Sequence, residues 1–315
     1  MEYTRLGRTG IKVSKICFGA LTIGPLQANL PIEVGAGVIR YALEKGVNFI
    51  DTAEMYRTYP YIKSALKGYN NDVVLATKSY AYDREGMAKS LEEARAKLDR
   101  DVIDVFLLHE QESLYTIKGH WEAFEYLLEA KAKGLVRAVG ISTHRIEAVK
   151  AVLAVPEMDV IHPLYNVRGL GIHDGTREEM YNAIEQVHAK GVGVYSMKPL
   201  GGGNLRLNAK EAISHLLGLP AIDSIAIGMK DGLEVDVNCD YFSGLDPDQQ
   251  KLSKVNAIER SLLISDWCQG CGACVDRCHS KALSIVDNKA IVEPSKCLLC
   301  GYCAGVCKEF CIKIY

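Results

Sequence analysis

Residues 73–109 read VVLATKSYAYDREGMAKSLEEARAKLDRDVIDVFLLH, and the order of elements in this stretch decides the fold. Val73–Thr77 and Ile103–Leu108 are short apolar runs without polar alternation, which is typical of strands buried on both faces of a parallel sheet. The stretch Arg84–Leu98 between them predicts a helix. These residues therefore predict one strand–helix–strand unit.

The same alternation of strand and helix fills the chain as far as Ile227. The predicted strands are Ile16–Gly19, Asn48–Asp51, Val73–Thr77, Ile103–Leu108, Val136–Ser142, Asp159–Pro163, Gly193–Met197 and Ile222–Ile227. Gly46, Gly134 and Gly191 follow predicted helices, where a left-handed residue commonly ends a helix. No G-x-G-x-x-G follows the first strand, which disfavours an open dinucleotide-binding sheet. Eight units predict an α/β fold, a closed (β/α)8 TIM barrel over residues 1–245.

Composition excludes several classes of protein. The chain has 315 residues, of which 48% are hydrophobic and 24% charged, and its formal net charge is −2. This near balance gives no reason to expect nucleic acid or an anionic membrane surface as a partner. We find no apolar run long enough to span a membrane and no apolar region of a signal peptide at the start of the chain. The sequence predicts a cytoplasmic protein.

Eight of the eleven cysteines lie in two runs with the spacing C-x2-C-x2-C-x3-C, Cys268–Cys278 and Cys297–Cys307. This is the spacing of a bacterial two-cluster ferredoxin, in which three close cysteines bind one cluster and the fourth binds the other. We therefore predict two [4Fe-4S] clusters. The predicted ligands are Cys268, Cys271, Cys274 and Cys307 for the first cluster and Cys297, Cys300, Cys303 and Cys278 for the second.

Two other uses of these cysteines are less favoured by their spacing. Structural zinc favours pairs of C-x2-C separated by a longer spacer. Disulfides need an oxidising compartment and do not explain three cysteines in close register. The sequence thus predicts a small C-terminal α+β, ferredoxin-like two-cluster domain over residues 265–315, joined to the barrel by a helical connector, 246–264.

Polar side chains stand at the ends of three successive predicted strands, where barrel enzymes place their active sites. These are Asp51, with Tyr56 five residues later, then Lys78 and His109. A tyrosine is a weak acid unless a nearby cation favours its phenolate, and Lys78 is placed to supply that cation. Asp51 would orient the lysine, and His109 would hold a carbonyl oxygen. The four residues predict a general acid that protonates a carbonyl oxygen.

The sequence resembles the aldo-keto reductase family over roughly residues 1–240. The similar segments are the N-terminal hairpin that opens the chain with Tyr3-Thr-Arg-Leu, Asp51-Thr-Ala-Glu-Met-Tyr56, Leu75-Ala-Thr-Lys78 and Asp104-Val-Phe-Leu-Leu-His109. With its cysteine tail, the whole chain is similar to the ferredoxin-fused members. The resemblance implies NADP(H)- or NAD(H)-linked reduction of a small carbonyl or oxidation of an alcohol, with Tyr56, Lys78, Asp51 and His109 catalytic.

The resemblance also implies a set of dinucleotide contacts after the later strands. They are Ser142, Thr143, His162, Tyr165, Met197, Lys198, Pro199, Leu200, Gly201, Gly228, Lys230 and Asn238. Thr143 and His162 replace the amide side chains that the family usually places around nicotinamide, while Tyr165 is expected to stack on it. Only Lys230 offers a charge to a 2′-phosphate, and Glu234 stands where a cation is common. NADP(H), NAD(H) and partial loss of dinucleotide binding all remain open; a flavin is possible but no motif indicates one.

Hydride transfer moves two electrons together, whereas each cluster carries one, so three hypotheses follow. The first, which the sequence favours, is a carbonyl reductase or alcohol dehydrogenase that uses NAD(P)H and whose clusters exchange electrons with a redox partner protein. The second is an electron-transfer module whose barrel docks that partner. The third is a reductase whose clusters only hold the tail against the barrel.

Overall fold

The computed structural model describes residues 1–315. The strands are β1 (Tyr3–Arg5), β2 (Lys12–Ser14), β3 (Ile16–Gly19), β4 (Phe49–Asp51), β5 (Val74–Ser79), β6 (Ile103–Leu108), β7 (Val136–Thr143), β8 (Val160–Pro163), β9 (Gly193–Met197), β10 (Ser224–Ile227), β11 (Leu262–Ile264), β12 (Leu283–Val286), β13 (Lys289–Val292) and β14 (Ile312–Ile314). The helices are α1 (Ile32–Glu44), α2 (Tyr59–Leu66), α3 (Arg84–Leu98), α4 (Leu114–Gly119), α5 (Trp121–Ala132), α6 (Ile146–Ala151), α7 (Arg177–His188), α8 (Ala209–Leu217), α9 (Gly232–Phe242), α10 (Gln249–Ala257) and α11 (Ala273–Arg277).

Strands β3 to β10 form a closed barrel in which every neighbouring pair is parallel, and β10 returns to pair with β3. The predicted (β/α)8 barrel is confirmed. Its interior is a packed cluster that includes Phe49 and Tyr195, and the β1–β2 hairpin adds Leu6, Ile11 and Val13 to that cluster. Apolar burial of this kind contributes roughly 1.5–3 kcal/mol for each large side chain. The filled interior gives the strand ends a rigid base.

Gly140 on β7 shows how tightly this barrel is packed. A Cβ atom there would lie 1.7 Å from the carbonyl oxygen of Val160 on β8. We expect Gly140→Ala to lower the free energy of unfolding by at least about 1–3 kcal/mol, because the two strands would have to separate. Urea unfolding measures this. The control is Gly37→Ala, on an exposed turn of α1, where an added Cβ would have no atom within 4 Å. This variant should raise the free energy of unfolding by roughly 0.5–1 kcal/mol. An unchanged urea midpoint for Gly140→Ala would contradict the tight packing of the two strands.

The connector between barrel and cysteine segment differs from its prediction. We expected helix across 246–264, but α10 covers only Gln249–Ala257, and Leu262–Ile264 is the strand β11. This strand pairs antiparallel with β14 at the end of the chain. The apolar Leu-Leu-Ile run gains a strand partner that the sequence alone does not reveal. No helix is long and apolar enough to cross a membrane.

The cysteine segment contains two small antiparallel sheets, β11–β14 and β12–β13, together with the short helix α11. Its core is a separate cluster of eight buried residues that includes Cys274 and Cys303, and Cys268, Cys278, Cys297 and Cys307 pack around it. The cysteines thus supply much of the interior of this segment.

Candidate active site

A buried ion pair lies at the base of the site, where β4 and β5 end. The Lys78 ammonium donates to both carboxylate oxygens of Asp51 at 2.8 Å and to the carbonyl oxygen of Thr52 at 2.7 Å. The Lys78 side chain is 1% exposed and that of Asp51 6%. Because an ammonium has three N–H groups, these three acceptors use all of them.

Tyr56 lies beside this pair but does not bond to it. The ammonium of Lys78 is 5.1 Å from the centroid of the Tyr56 ring, on its face. Burial first, and then the charges of Asp51 and Glu110, raises the pKa of Tyr56 well above its usual value. The expectation that Lys78 favours the phenolate is therefore not met in this arrangement. Tyr56 carries its proton at neutral pH and is suited to donate it.

His109 stands next to Tyr56 at the end of β6. The ring centroids of the two residues are 5.7 Å apart with an edge-on geometry, and Tyr80 stacks on His109 at 4.3 Å. Burial, with the nearby cation of Lys78, lowers the pKa of His109 well below its usual value, so the ring is neutral. Its Nδ1 atom is buried without a hydrogen-bond partner. A neutral imidazole beside the Tyr56 ring is suited to hold a carbonyl oxygen.

Two further side chains reach the same carboxylate. The Tyr195 hydroxyl donates to Asp51 at 2.9 Å, and its ring stacks on His162 at 3.9 Å. Nδ1 of His162 lies 2.6 Å from the carbonyl oxygen of Tyr195, which only accepts, so this nitrogen carries the proton. Burial lowers the pKa of His162 to about 4. The sequence assigned His162 to the dinucleotide and gave no role to Tyr195, which reads as one more apolar residue on a buried strand.

Other predicted dinucleotide contacts bond to, or pack against, neighbouring parts of the chain. The Ser142 hydroxyl accepts from the backbone N–H of Glu110 at 2.9 Å, and Thr143 Oγ1 accepts from that of Arg145 at 2.9 Å. Gly228 is in close contact with Thr22, and Asn238 is buried within α9.

Tyr165 is buried among other aromatic side chains. Its ring is 2% exposed and packs towards the outer helices, near Tyr181 on α7 and His215 on α8. The Tyr165 hydroxyl lies 3.4 Å from Nε2 of His215. This placement leaves no exposed ring face on which a nicotinamide can stack.

Lys198 follows β9 and has a left-handed backbone, with φ of 59°. Its ammonium lies 2.7 Å from Nε2 of His144, and burial lowers the pKa of Lys198 to about 7. Pro199, Leu200 and Gly201 continue into a turn that the end of the chain covers, since Ile314 bonds to Gly202. These predicted dinucleotide contacts thus lie where the barrel meets the cysteine segment.

Four of the eight cysteines, the predicted ligands of the second cluster, lie around one cavity. Its volume is about 20 Å³, and Cys278, Cys297, Cys300 and Cys303 line it together with apolar residues such as Leu262. In the other set, burial raises the pKa of the Cys274 thiol, as do the neighbouring thiols of Cys307, Cys268 and Cys271.

Backbone N–H groups point at the sulfur atoms of three of these cysteines. Ala290 donates to Cys268 at 3.4 Å, Ala282 to Cys278 at 3.3 Å and Cys311 to Cys307 at 3.2 Å. Such bonds stabilise thiolates and tune iron–sulfur clusters. Three of the predicted ligands thus receive the kind of backbone hydrogen bond that a cluster thiolate would receive. No group of three or more His, Cys, Asp or Glu side chains is arranged so that it could hold a metal ion, so the two clusters stay a prediction from the cysteine spacing.

Comparison with known proteins identifies the barrel. The chain matches the aldo/keto reductase family over residues 15–216. It is 26% identical to an L-galactose dehydrogenase of Arabidopsis thaliana, with 86% of this chain and 98% of that protein aligned. It is 31% identical to the aldo-keto reductase YhdN of Bacillus subtilis, over 53% of this chain and 54% of that protein.

The fold comparison agrees with this match. The aldo-keto reductase AKR11C1 of Bacillus halodurans superimposes with a TM-score of 0.63 at 22% identity, covering 81% of this chain and 96% of that one. At this level of identity the likeness shows the shared barrel. With the family match over residues 15–216, the chain belongs to the aldo/keto reductase family and is an oxidoreductase.

Proposed function

We propose that this oxidoreductase reduces a small carbonyl compound to an alcohol, with Tyr56 as the proton donor and with electrons supplied through two [4Fe-4S] clusters held in residues 265–315. The observation that carries the proposal is that a protonated Tyr56 lies next to a neutral His109, with 5.7 Å between the ring centroids. Both residues lie at the end of the barrel where the strands finish. The eight cysteines lie in the segment that covers the same end.

The proton chemistry favours reduction over oxidation. A carbonyl oxygen that accepts from His109 gains electron density as it is reduced, and the Tyr56 hydroxyl can then protonate it. Alcohol oxidation needs the phenolate of Tyr56, which burial and the charge of Asp51 disfavour. Lys78 and Tyr195 hold Asp51 in place, so that the carboxylate contributes a fixed negative charge beneath the site.

The electron count requires a donor outside the chain. Reduction of a carbonyl to an alcohol consumes two electrons and two protons, of which Tyr56 gives one to oxygen and water gives one to carbon. When bound, the two clusters supply one electron each. A one-electron donor protein in a reducing cytoplasm refills them. In this proposal residues 1–245 form the catalytic barrel, 246–264 the connector and 265–315 the ferredoxin-like electron-transfer domain.

The substrate class is a small carbonyl compound. One matched relative is the methylglyoxal reductase DkgA of Escherichia coli, which is 26% identical over 56% of this chain and 66% of that protein. A 1,2-dicarbonyl such as methylglyoxal accepts electrons singly with less difficulty than a simple aldehyde, because its second carbonyl delocalises the added electron. This chemistry suits a supply of single electrons.

The second candidate is NAD(P)H-linked reduction, which membership of the aldo/keto reductase family favours. It uses the same Tyr56 and His109 but requires the loops after β9 and β10 to be free for the dinucleotide. Those loops are in contact with other parts of the chain.

A stopped-flow experiment tests the proposal. Anaerobically purified protein is reduced with one equivalent of dithionite and mixed with methylglyoxal, and the visible absorbance is followed. We expect two clusters to be reoxidised for each methylglyoxal consumed, with no nicotinamide present. If the absorbance stays bleached with methylglyoxal and with other small aldehydes and ketones, the proposal is wrong.

Cysteine variants provide the matched control. Cys274→Ser removes a predicted ligand of the first cluster, and we expect it to lower the bound iron and to abolish the two-electron reoxidation. Cys239→Ser removes a cysteine that lies on α9, outside the cysteine segment, and should keep the iron content and the absorbance of the unchanged protein. Iron and sulfide analysis, read beside the visible spectrum, separates the two variants.

A further inference from the structure

The glycine loop that follows β9 is paired with the last strand of the chain. The backbone N–H of Ile314 donates to the carbonyl oxygen of Gly202 at 2.8 Å, and the Asn204 side chain donates to that of Ile312 at 3.2 Å. A Cβ atom at Gly203, where φ is +84°, would lie 1.9 Å from the carbonyl oxygen of Ile314. The loop therefore seats β14 at a distance that only glycine allows.

Phe310 fills the space beside this loop. Its ring is 2% exposed and packs in one apolar cluster with Leu164 and Met197. The ammonium of Lys198 lies 5.1 Å from the ring centroid, and the ring of His144 meets it edge-on at 6.3 Å. An aromatic side chain from the cysteine segment thus occupies the barrel mouth next to the buried Lys198–His144 pair.

Carboxylates already bind two of the backbone N–H groups in the loop after β10 and at the start of α9. The backbone N–H of Lys230 donates to the Glu234 carboxylate at 2.9 Å, and that of Glu234 donates to the Asp231 carboxylate at 2.8 Å. Arg260, from the connector, forms a partly buried ion pair with Glu234 at 2.7 Å. A phosphate would have to displace two carboxylates and would be repelled by both.

These contacts do not fit a bound dinucleotide, and we propose that the C-terminal segment 309–315 takes the place of one. The folded chain then binds neither NADPH nor NADH in its barrel. Reducing equivalents reach the site from the cysteine segment instead. This inference rests on the proposed function. It makes the tail a built-in part of the active-site end of the barrel.

The geometry of the tail agrees with this role. Cys307, a predicted ligand of the first cluster, accepts from the backbone N–H of Cys311 at 3.2 Å. Phe310, between them in sequence, is the residue that enters the barrel mouth. The seated segment therefore connects a predicted cluster ligand directly to the barrel.

Binding and hydrogen exchange test the inference without turnover. The anaerobic full-length holoprotein is titrated with NADPH and then with NADH by calorimetry, and amide exchange is followed in residues 309–315. We expect no binding tighter than about 1 mM for either nucleotide. We also expect the Ile314 amide to exchange at least about 100-fold more slowly than an unprotected one.

Gly203→Ala should release the strand. We expect it to abolish the protection of the Ile314 amide, because its methyl group would collide with the paired strand. The control is Gly134→Ala, which imposes a similar left-handed strain, with φ of +75°, where no atom lies within 4 Å. The control should leave exchange in residues 309–315 unchanged.

Two results would overturn the inference. One is stoichiometric binding of NADPH or NADH at micromolar concentration by the unaltered protein, with or without loss of protection in 309–315. The other is rapid exchange of the Ile314 amide in the nucleotide-free protein. Neither measurement involves a carbonyl substrate. A negative result here would therefore not contradict the roles proposed for Tyr56 and the clusters. A negative reoxidation experiment would likewise not contradict the binding of the tail in the barrel mouth.

Discussion

Replacing Tyr56 by phenylalanine is expected to lower kcat for carbonyl reduction by about 10²–10⁴-fold, the usual contribution of a positioned general acid. The variant keeps the ring that meets His109 at 5.7 Å and the face that lies 5.1 Å from the Lys78 ammonium. Only the hydroxyl is lost. The substrate should therefore still bind, and the loss should fall on kcat with little change in KM.

The matched control is Tyr59→Phe. Tyr59 is also buried, and its hydroxyl bonds to Thr77 at 2.8 Å on the outer side of β5. Removal of that hydroxyl should cost roughly 1 kcal/mol of stability and leave kcat within about twofold. A Tyr56→Phe variant with near-normal kcat on a substrate that the unaltered protein reduces would remove Tyr56 from the mechanism.

The dependence of kcat on pH should also report Tyr56 as the proton donor. The active form of Tyr56 in reduction is the protonated one, and burial raises its pKa above the usual value of about 10. Reduction should therefore be independent of Tyr56 ionisation across neutral pH and should fall only as pH rises through the raised pKa. His109, whose pKa is lowered, stays neutral over the same range.

Much of the barrel and part of the site can be read from the sequence, for a physical reason. Parallel strands buried on both faces are uninterrupted apolar runs, so Val73–Thr77 and Ile103–Leu108 stand out, and the polar residue that ends each run must lie at the barrel mouth. Lys78 and His109 were found in this way. The spacing of the cysteines is equally local, since three ligands lie within one short loop.

The remaining features depend on contacts between distant residues. Tyr195 looks like a core residue until Asp51, 144 positions away, is seen beside its hydroxyl. The seating of β14 against Gly202 joins the end of the chain to the loop after β9, and no periodicity marks such a contact. Tyr165 was predicted to stack on nicotinamide, but which side of the strand end it faces is settled by packing against α7 and α8.

Lys78→Met is expected to lower the free energy of unfolding by about 3–5 kcal/mol, because it leaves the Asp51 carboxylate buried without its cation. The ammonium gives Asp51 two of its hydrogen bonds and gives Thr52 a third, and the side chains of the pair are 1% and 6% exposed. Methionine fills nearly the same volume, so the loss reports the charge and its bonds. Urea unfolding of the anaerobic holoprotein, followed by tryptophan fluorescence and circular dichroism, measures it.

Two further variants distinguish the effect of breaking the buried ion pair from the effect of losing any lysine. Lys97→Met removes a lysine whose ammonium bonds to Glu93 at 2.6 Å but whose side chain is 58% exposed, and it should cost less than about 1 kcal/mol. The double variant Lys78→Met with Asp51→Asn removes both charges and should recover part of the loss. A double variant less stable than Lys78→Met alone would show that the unpaired carboxylate is not the cause. Asp51 would then be held by Tyr195 without need of the lysine, and the fixed charge assigned to the site would rest on that hydroxyl.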